Sequence, residues 1–178
     1  MKRALLIIDM LNDFIRENGA LPVPGAERIV PSIKSLLSAF REKQQPVIYI
    51  CDSHQPEDAE FEVWGSHAVK GTWGSEIIEE LKPESGEPVI YKRRFSGFFG
   101  TDLDLTLREK KAEEVVVTGV LTNICVLYTA SDAYQRGYRV VVPSDCVAAA
   151  DPEMHRFALR QLKEVVGATV VDFHREII

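Results

Sequence analysis

Cys125 stands in "TGVLTNICVLYTASDA" (Thr118 to Ala133), where the strand-like run "EVVVTG" gives way to a helix-like run. The spacing predicts a helix from about Asn123 to Arg136, with Cys125 in its first turn and Thr122 or Asn123 able to cap it. A helix N-terminus carries free N–H groups and partial positive charge. Both draw a thiol toward the reactive thiolate and can hold the oxyanion that forms when it attacks a carbonyl. The competing reading is that Cys125 packs as a small hydrophobe between Ile124 and Val126. Two further residues bear on that choice. Asp9 closes the apolar run "RALLIID", and Lys92 directly follows "PVIY". A charge at the end of a buried strand is costly unless it is paired or used. If these strands are neighbours, an acid, an amine and a thiol converge. Asp9 can then accept the thiol proton, while Lys92 keeps Asp9 ionised and stabilises the thiolate. A purely structural Asp9–Lys92 ion pair is the alternative.

The segment "CDSHQPEDAEFEVWGSHAVKGTWG" offers a second chemistry. Asp52 and His54 form a D-x-H pair, and side chains two apart in extended chain point the same way, so both can reach one metal ion. His67 would complete a mixed oxygen and nitrogen set. Such a set suits one divalent transition metal, zinc foremost and iron or manganese next.

These residues need elements to hold them. "RALLIID" and "PVIYICD" read as strands buried on both faces, and "GAERIVPSIKSLLSAFREKQ" between them as a helix with Pro31 near its first turns. The long polar stretch Ser53 to Gly74 is of the length that tends to be functional. After it the pattern predicts a short helix over Ser75 to Leu81 and a strand over Pro88 to Tyr91. A helix over Asp102 to Lys111 and a strand over Glu114 to Gly119 follow. Beyond the Cys125 helix come a strand "YRVVVPSD", a helix from about Pro152 to Val166 and a last strand "ATVVDF". Strand–helix alternation with Val/Ile-rich strands predicts one α/β domain over 1–178, a mostly parallel sheet with helices on both faces. In such sheets ligands bind beyond the carboxyl ends of the strands. Asp9, Asp52, His54, Lys92, Cys125 and Asp145 all belong to that edge.

Composition narrows the classes of function. The 178 residues are 46% hydrophobic and 27% charged, and no apolar run approaches the ~20 residues that span a bilayer. The start "MKRALLIIDMLNDF" reads as a first buried strand rather than a signal peptide, since Asp9 breaks the run and no small-residue cleavage site follows. A net charge of −6 argues against nucleic acid, and "YKRRF" is too short to reverse that. Cys51, Cys125 and Cys146 are three, widely spaced and without a CxxC, which points to a reducing cytoplasm. Cys51 and Cys146 read as buried strand-end residues, and His155 and His174 as surface histidines.

Three segments, "LLIIDMLNDF", "KRRFSGFFGTDL" and "TGVLTNICVLYTASDA", together resemble the isochorismatase-like cysteine hydrolase superfamily. They match its first-strand Asp, its Lys ahead of S-(A/G)-F-x-x-T-D-L, and its nucleophile motif G-V-x-T-x-x-C-V-x-x-T-A-x-D-A. The likeness includes "SDCVAAADPEMHRFAL" and runs nearly the whole length; Gly97, where Ala is frequent, is a small departure. The resemblance implies a Rossmann-like three-layer sandwich, with Asp9 as proton acceptor, Lys92 as its partner and Cys125 as nucleophile. It also implies a cis peptide before Leu121, which would turn the Leu121 and Cys125 N–H groups toward the substrate oxygen.

Within the superfamily, a D-x-H followed by His in a W-x-x-H-x-V-x-G-T context, here "WGSHAVKGT", resembles nicotinamidases (pyrazinamidases). That likeness implies a metal on the pyridine nitrogen, hydrolysis of nicotinamide to nicotinate and ammonia, and a place in NAD salvage. It implies a fourth protein ligand, His or Glu. No His stands between His54 and His67, so Glu60 is the candidate, with Glu62 and Asp58 as competitors. By family position Phe14 and Trp64 would sandwich a flat aromatic ring, and the chain would form a homo-oligomer. The rival readings are a related cysteine amidohydrolase acting on another amide or carbamoyl group, and a binding module that keeps the fold without catalysis.

Overall fold

The computed structural model describes residues 1–172, so Phe173 and His174 lie outside the described residues. One parallel sheet has the order β3-β2-β1-β4-β5-β7, where β1 is Arg3–Ile8, β2 Val47–Asp52, β3 Val89–Lys92, β4 Glu114–Val120, β5 Arg139–Pro143 and β7 Thr169–Val171. A two-residue strand, β6 (Val147–Ala148), pairs with the end of β4. The chain winds outward from β1 through β2 to β3, then crosses back to β4 and winds the other way. The order therefore reverses between β1 and β4, and the crevice beyond their carboxyl ends is where such sheets take ligands.

The central strands read as unbroken apolar runs because both faces are covered. Leu5, Ile7, Val47, Tyr49 and Val116 face one core, completed by Ile33, Leu36, Leu37 and Phe40 of helix α2 (Val30–Glu42). Ala4, Leu6, Ile8, Ile48, Ile50, Val115 and Val117 face the other. That side is covered by α4 (Leu103–Glu109), α5 (Leu127–Gln135) and α6 (Pro152–Glu164). Asp151 caps α6, accepting from the N–H groups of Glu153 and Met154 ahead of Pro152. No helix of the described residues is long and apolar enough to cross a membrane.

Ser75 to Leu81 is not the helix its pattern predicts. Two short 3-10 turns, Trp73–Ser75 and Glu79–Leu81, flank an extended piece. There Ile77 forms an antiparallel bridge with Leu11, the Asn12 N–H donates to the Glu76 carbonyl at 3.0 Å, and the Ile78 N–H donates to the Met10 carbonyl at 3.0 Å. Pairing with a distant segment satisfies the backbone that a helix would have satisfied locally. Just beyond Met10 lies the one-turn helix α1 (Asn12–Ile15), which the sequence pattern did not reveal.

Gly119 allows the two strands of the crevice to meet. It is paired with Ile8 and has φ +109, and a Cβ there would stand 2.0 Å from the Ile8 carbonyl oxygen. Gly119→Ala is expected to destabilise the protein by about 3 kcal/mol or more, from backbone strain and overpacking together. The urea midpoint of the purified variant measures this; a midpoint equal to that of the wild type would show that β1 and β4 can separate freely.

Candidate active site

Each strand of the crevice ends in a residue with chemistry. Asp9 follows β1 with φ +52, Asp52 ends β2, and Lys92 ends β3 in register with Asp52. Cys125 follows β4 across a cis Val120–Leu121 peptide bond, in a π-helical turn, Thr122–Val126, that leads into α5. The Leu121 carbonyl accepts the N–H groups of Ile124 at 3.0 Å and Val126 at 3.2 Å. Thr122 and Asn123 therefore do not cap this turn as expected; the residue before it is Leu121, which offers no side-chain acceptor. The Thr122 hydroxyl bonds instead to His155 Nδ1 at 2.9 Å. His155 is thus not a free surface histidine but a half-buried partner of the turn that carries Cys125.

Asp9, Lys92 and Cys125 come together as expected, with Asp52 added. The Lys92 ammonium has three N–H donors and three acceptors around it: Asp9 Oδ2 at 2.9 Å, Asp52 Oδ1, and Cys125 Sγ at 3.4 Å. Asp9 Oδ1 accepts the Asp52 backbone N–H at 2.7 Å. All four side chains are buried. Burial and the neighbouring Asp52 charge push the Asp9 carboxyl up to about 6, against the pull of Lys92. Burial also pushes the Cys125 thiol well up, with Lys92 opposing. Burial would discharge Lys92, but Asp52, Asp9 and Cys125 hold its pKa well above the ordinary value. Burial thus works against the thiolate that a helix end would favour, and Asp9 stands beside the thiol as a carboxylate able to receive its proton.

The loop after β2 is folded back on itself. The His54 N–H donates to the Ala68 carbonyl at 3.0 Å, and the Lys70 N–H donates to the His54 carbonyl at 2.9 Å. It carries a single turn of α-helix, α3 (Phe61–Trp64), among the described residues. This closure brings the His54 and His67 rings to 4.8 Å between centroids, and ligand atoms of Asp52, His54 and His67 all lie within 4.8 Å of one another. His67 Nδ1 donates to the Gly65 carbonyl at 2.8 Å, which leaves Nε2 as a lone pair. His54 Nδ1 faces Asp58 Oδ2 at 3.3 Å, while its Nε2 faces Glu60 Oε2 at 3.3 Å and Asp52 Oδ2 at 3.7 Å.

Among the described residues neither His54 ring nitrogen makes a hydrogen bond, although both are buried. The converging ligand atoms of Asp52, His54 and His67, with Glu60 beside His54 Nε2, make a mixed oxygen and nitrogen donor set that fits a divalent ion.

The three acids proposed for that loop separate clearly. Glu60 faces the cluster. Asp58 lies on the other side of the His54 ring, at Nδ1, and binds Arg93 and Arg94 at 2.8 and 3.1 Å, and Glu62 is exposed. The Glu60 N–H, the Arg93 guanidinium and His54 hold the Asp58 carboxyl well below the usual range despite its burial.

A cavity of about 40 Å³ joins the two groups. It is lined by Asp9, Asp52, Glu60, His67 and Cys125 together with Phe14, Trp64 and Leu121. Leu21, Phe95, Val120 and Ile124 complete its wall. The sequence missed these four, Leu21, Phe95, Val120 and Ile124, which carry no local signal beyond being apolar. It also missed Phe61, whose ring lies 5.4 Å from His54 and 5.6 Å from His67.

Residues 3–174 match the sequence model of the isochorismatase domain. The chain belongs to the isochorismatase family. Among family members of known structure it is similar to a nicotinamidase/pyrazinamidase, PncA, from Bacillus subtilis, with 39% identity and a TM-score of 0.92, covering 97% of this chain and 100% of that one. It is also similar to N-carbamoylsarcosine amidase from Thermoplasma acidophilum, with 41% identity and a TM-score of 0.90, covering both chains fully at 100%. A third isochorismatase-family likeness is to a pyrazinamidase of Pyrococcus horikoshii in complex with zinc, with 32% identity and a TM-score of 0.91, covering 97% of this chain and 99% of that one. This isochorismatase-family hydrolase therefore has relatives that differ in substrate, and the contents of its own cavity must distinguish them.

Proposed function

We propose that this protein is a metal-dependent nicotinamidase that hydrolyses nicotinamide to nicotinate and ammonia. The observation that carries the reading is the cation-fitting cluster of Asp52, His54, His67 and Glu60 sharing one small cavity with Cys125. A planar ring anchored through a lone pair at one end can thus present its carboxamide at the other. The wall supports a neutral substrate: Asp9, Asp52 and Glu60 contribute negative charge, no Lys or Arg among the described residues lines the cavity, and Phe14 and Trp64 offer aromatic faces. An amide that itself bears a carboxylate would meet repulsion there. Likeness to a zinc-bound pyrazinamidase agrees with the donor set.

When bound, the cation would supply a Lewis acid for the ring nitrogen. The chain's own residues supply the rest. Cys125 Sγ attacks the carboxamide carbon while its proton passes to Asp9 Oδ2, the oxygen that the Asp52 N–H leaves open. Backbone N–H groups of Leu121 and Cys125 receive the developing oxyanion. Asp9 returns the proton to the leaving nitrogen, the C–N bond breaks, and ammonia departs from a Cys125 thioester. Water then attacks the thioester and gives its proton to Asp9. The C–S bond breaks, the acid leaves, and the proton returns to Sγ. Lys92 holds the charge of Asp9 and of the sulfur throughout.

The test is ammonia release by zinc-loaded protein from nicotinamide, pyrazinamide and benzamide, which lacks the ring nitrogen. Nicotinamide and pyrazinamide are expected to exceed benzamide in kcat/KM by about 10²-fold or more, as for a lost charge-assisted contact. Chelation should erase that preference. Equal use of all three would move the reading to a related cysteine amidohydrolase acting on another amide or a carbamoyl group.

Asp9 must be ionised to take the thiol proton, so activity is present above its pKa and lost as pH falls through it. The acid limb of kcat/KM is expected no higher than about 6. It should lie lower in loaded protein, because a cation on Asp52 cancels part of the charge that raises Asp9. A limb centred above pH 7 would remove Asp9 from this role.

A further inference from the structure

The segment "NDF" holds a carboxylate that the reaction does not use. Asp13, on α1, is buried, and among the described residues it makes no ion pair. It is bonded wholly to backbone: Oδ1 accepts the Ala20 N–H at 2.9 Å and Oδ2 accepts the Ala68 N–H at 2.8 Å. The second bond spans 55 residues and reaches the residue directly after His67. Ala68 is held at φ +44, a left-handed conformation that a non-glycine residue keeps only when its surroundings impose it. Gly74 packs so closely on the same carboxylate that a Cβ there would stand 2.1 Å from Oδ2. The neighbouring Asn12 side chain donates to the Trp73 carbonyl at 2.9 Å, so α1 grips the loop at both 68 and 73. A carboxylate is buried here at a cost, and two N–H bonds offset it.

We propose that Asp13 is a positioning residue, which sets the place of His67 and through it the affinity of the site for its cation. The proposal rests on the metal-site reading above. The His67 side chain has one fixed bond, from Nδ1 to the Gly65 carbonyl within its own loop. Its placement relative to His54 and Asp52 therefore depends on where the loop backbone is pinned, and Asp13 is the side chain that pins it to the sheet side of the crevice. Its partners are distant from Lys92 and Cys125 in the bonding network, so the thiol should not register the loss.

Zinc affinity is measured by competition with a chromogenic chelator for the wild type, Asp13→Ala and Asp13→Asn, each checked for folding by circular dichroism. Asp13→Ala removes both acceptors; Asp13→Asn keeps one and sets an amide N–H against the other donor. The expected result is a zinc Kd raised about 10- to 100-fold, larger for Ala than for Asn. In zinc-free protein the alkylation rate of Cys125 by iodoacetamide should be unchanged. At limiting zinc the apparent kcat should fall, and saturating zinc should restore it. A folded variant with wild-type zinc affinity, even with a lowered thermal midpoint, would overturn the proposal and leave Asp13 a stabiliser of the fold. If Asp13→Ala does not fold, Asp13→Asn alone decides. Failure of the wild type itself to take zinc would instead overturn the metal-site reading and this inference with it.

Discussion

Cys125→Ala is expected to lower kcat for amide hydrolysis by about 10³-fold or more, a loss of roughly 4 kcal/mol of transition-state stabilisation. The thiol meets the cavity beside an acceptor for its proton and a fixed ammonium, which makes it the nucleophile best placed to form the acyl intermediate. The variant should remain folded, since it loses a single sulfur atom from a site next to Val126 and α5, worth about 1 kcal/mol of packing. Zinc binding should persist, because Asp52, His54, His67 and Glu60 are untouched. Ammonia release gives the rate. Mass spectrometry of protein quenched during turnover checks the cause, since an added nicotinoyl group should appear on the wild type and not on the variant. Activity within tenfold of the wild type would eliminate the thioester route.

Lys92→Met is expected to act on stability and activity together. The ammonium is the shared cation of two buried carboxylates, and removing it leaves Asp9 and Asp52 facing each other without compensation. Breaking a buried pair from one side costs about 3–5 kcal/mol. That loss should depend on pH in a definite sense. Asp9 lies at about 6 with Lys92 present, above its ordinary value, so its burial favours the protonated form. Without Lys92 its pKa rises further, and the variant takes up a proton where the wild type does not. The deficit is then largest at neutral and higher pH and shrinks as pH falls toward 6 and below. Urea unfolding at pH 5.5 and pH 8 measures the difference; a deficit independent of pH would show that the carboxylates never carried the charge assigned to them. Hydrolysis should be lost in either case, because a protonated Asp9 cannot accept from the thiol.

Much of this site was legible in the chain because strand ends in a parallel sheet are few, and a charged residue closing an apolar run is conspicuous there. That rule marked Asp9, Asp52 and Lys92, the change of period after "EVVVTG" marked Cys125, and the likeness to the superfamily motifs gave Asp9, Lys92 and Cys125 their roles. The D-x-H spacing likewise placed two side chains on one side of an extended segment. The local prediction failed where a distant partner supplied the bonds. Ser75 to Leu81 has the composition of a short helix, yet Leu11 and Asn12 claim its backbone. Thr122 has the chemistry of a cap, yet His155 takes its hydroxyl. Three acids in one loop have equal claims by sequence. Only the folded loop sets Asp58 on His54 Nδ1 together with Arg93 and Arg94, and leaves Glu60 on Nε2, the nitrogen that Asp52 also faces.

The sequence by itself therefore determined the layered α/β architecture, the edge of the sheet on which the chemistry gathers, and the acid, amine, thiol and imidazole types available to it. Burial and periodicity are properties of short windows, and a chain of strands and helices leaves few ways to arrange them. The tertiary structure decided which oxygen meets which nitrogen: that Lys92 is shared by two carboxylates, that Cys125 sits in a π-helical turn beside that ammonium, that Glu60 meets His54 Nε2 while Asp58 meets Nδ1, and that Asp13 grips the backbone beside His67. These are contacts between residues tens of positions apart. Their energies depend on desolvation and geometry at a distance of a few ångströms, which no local pattern of residue types encodes.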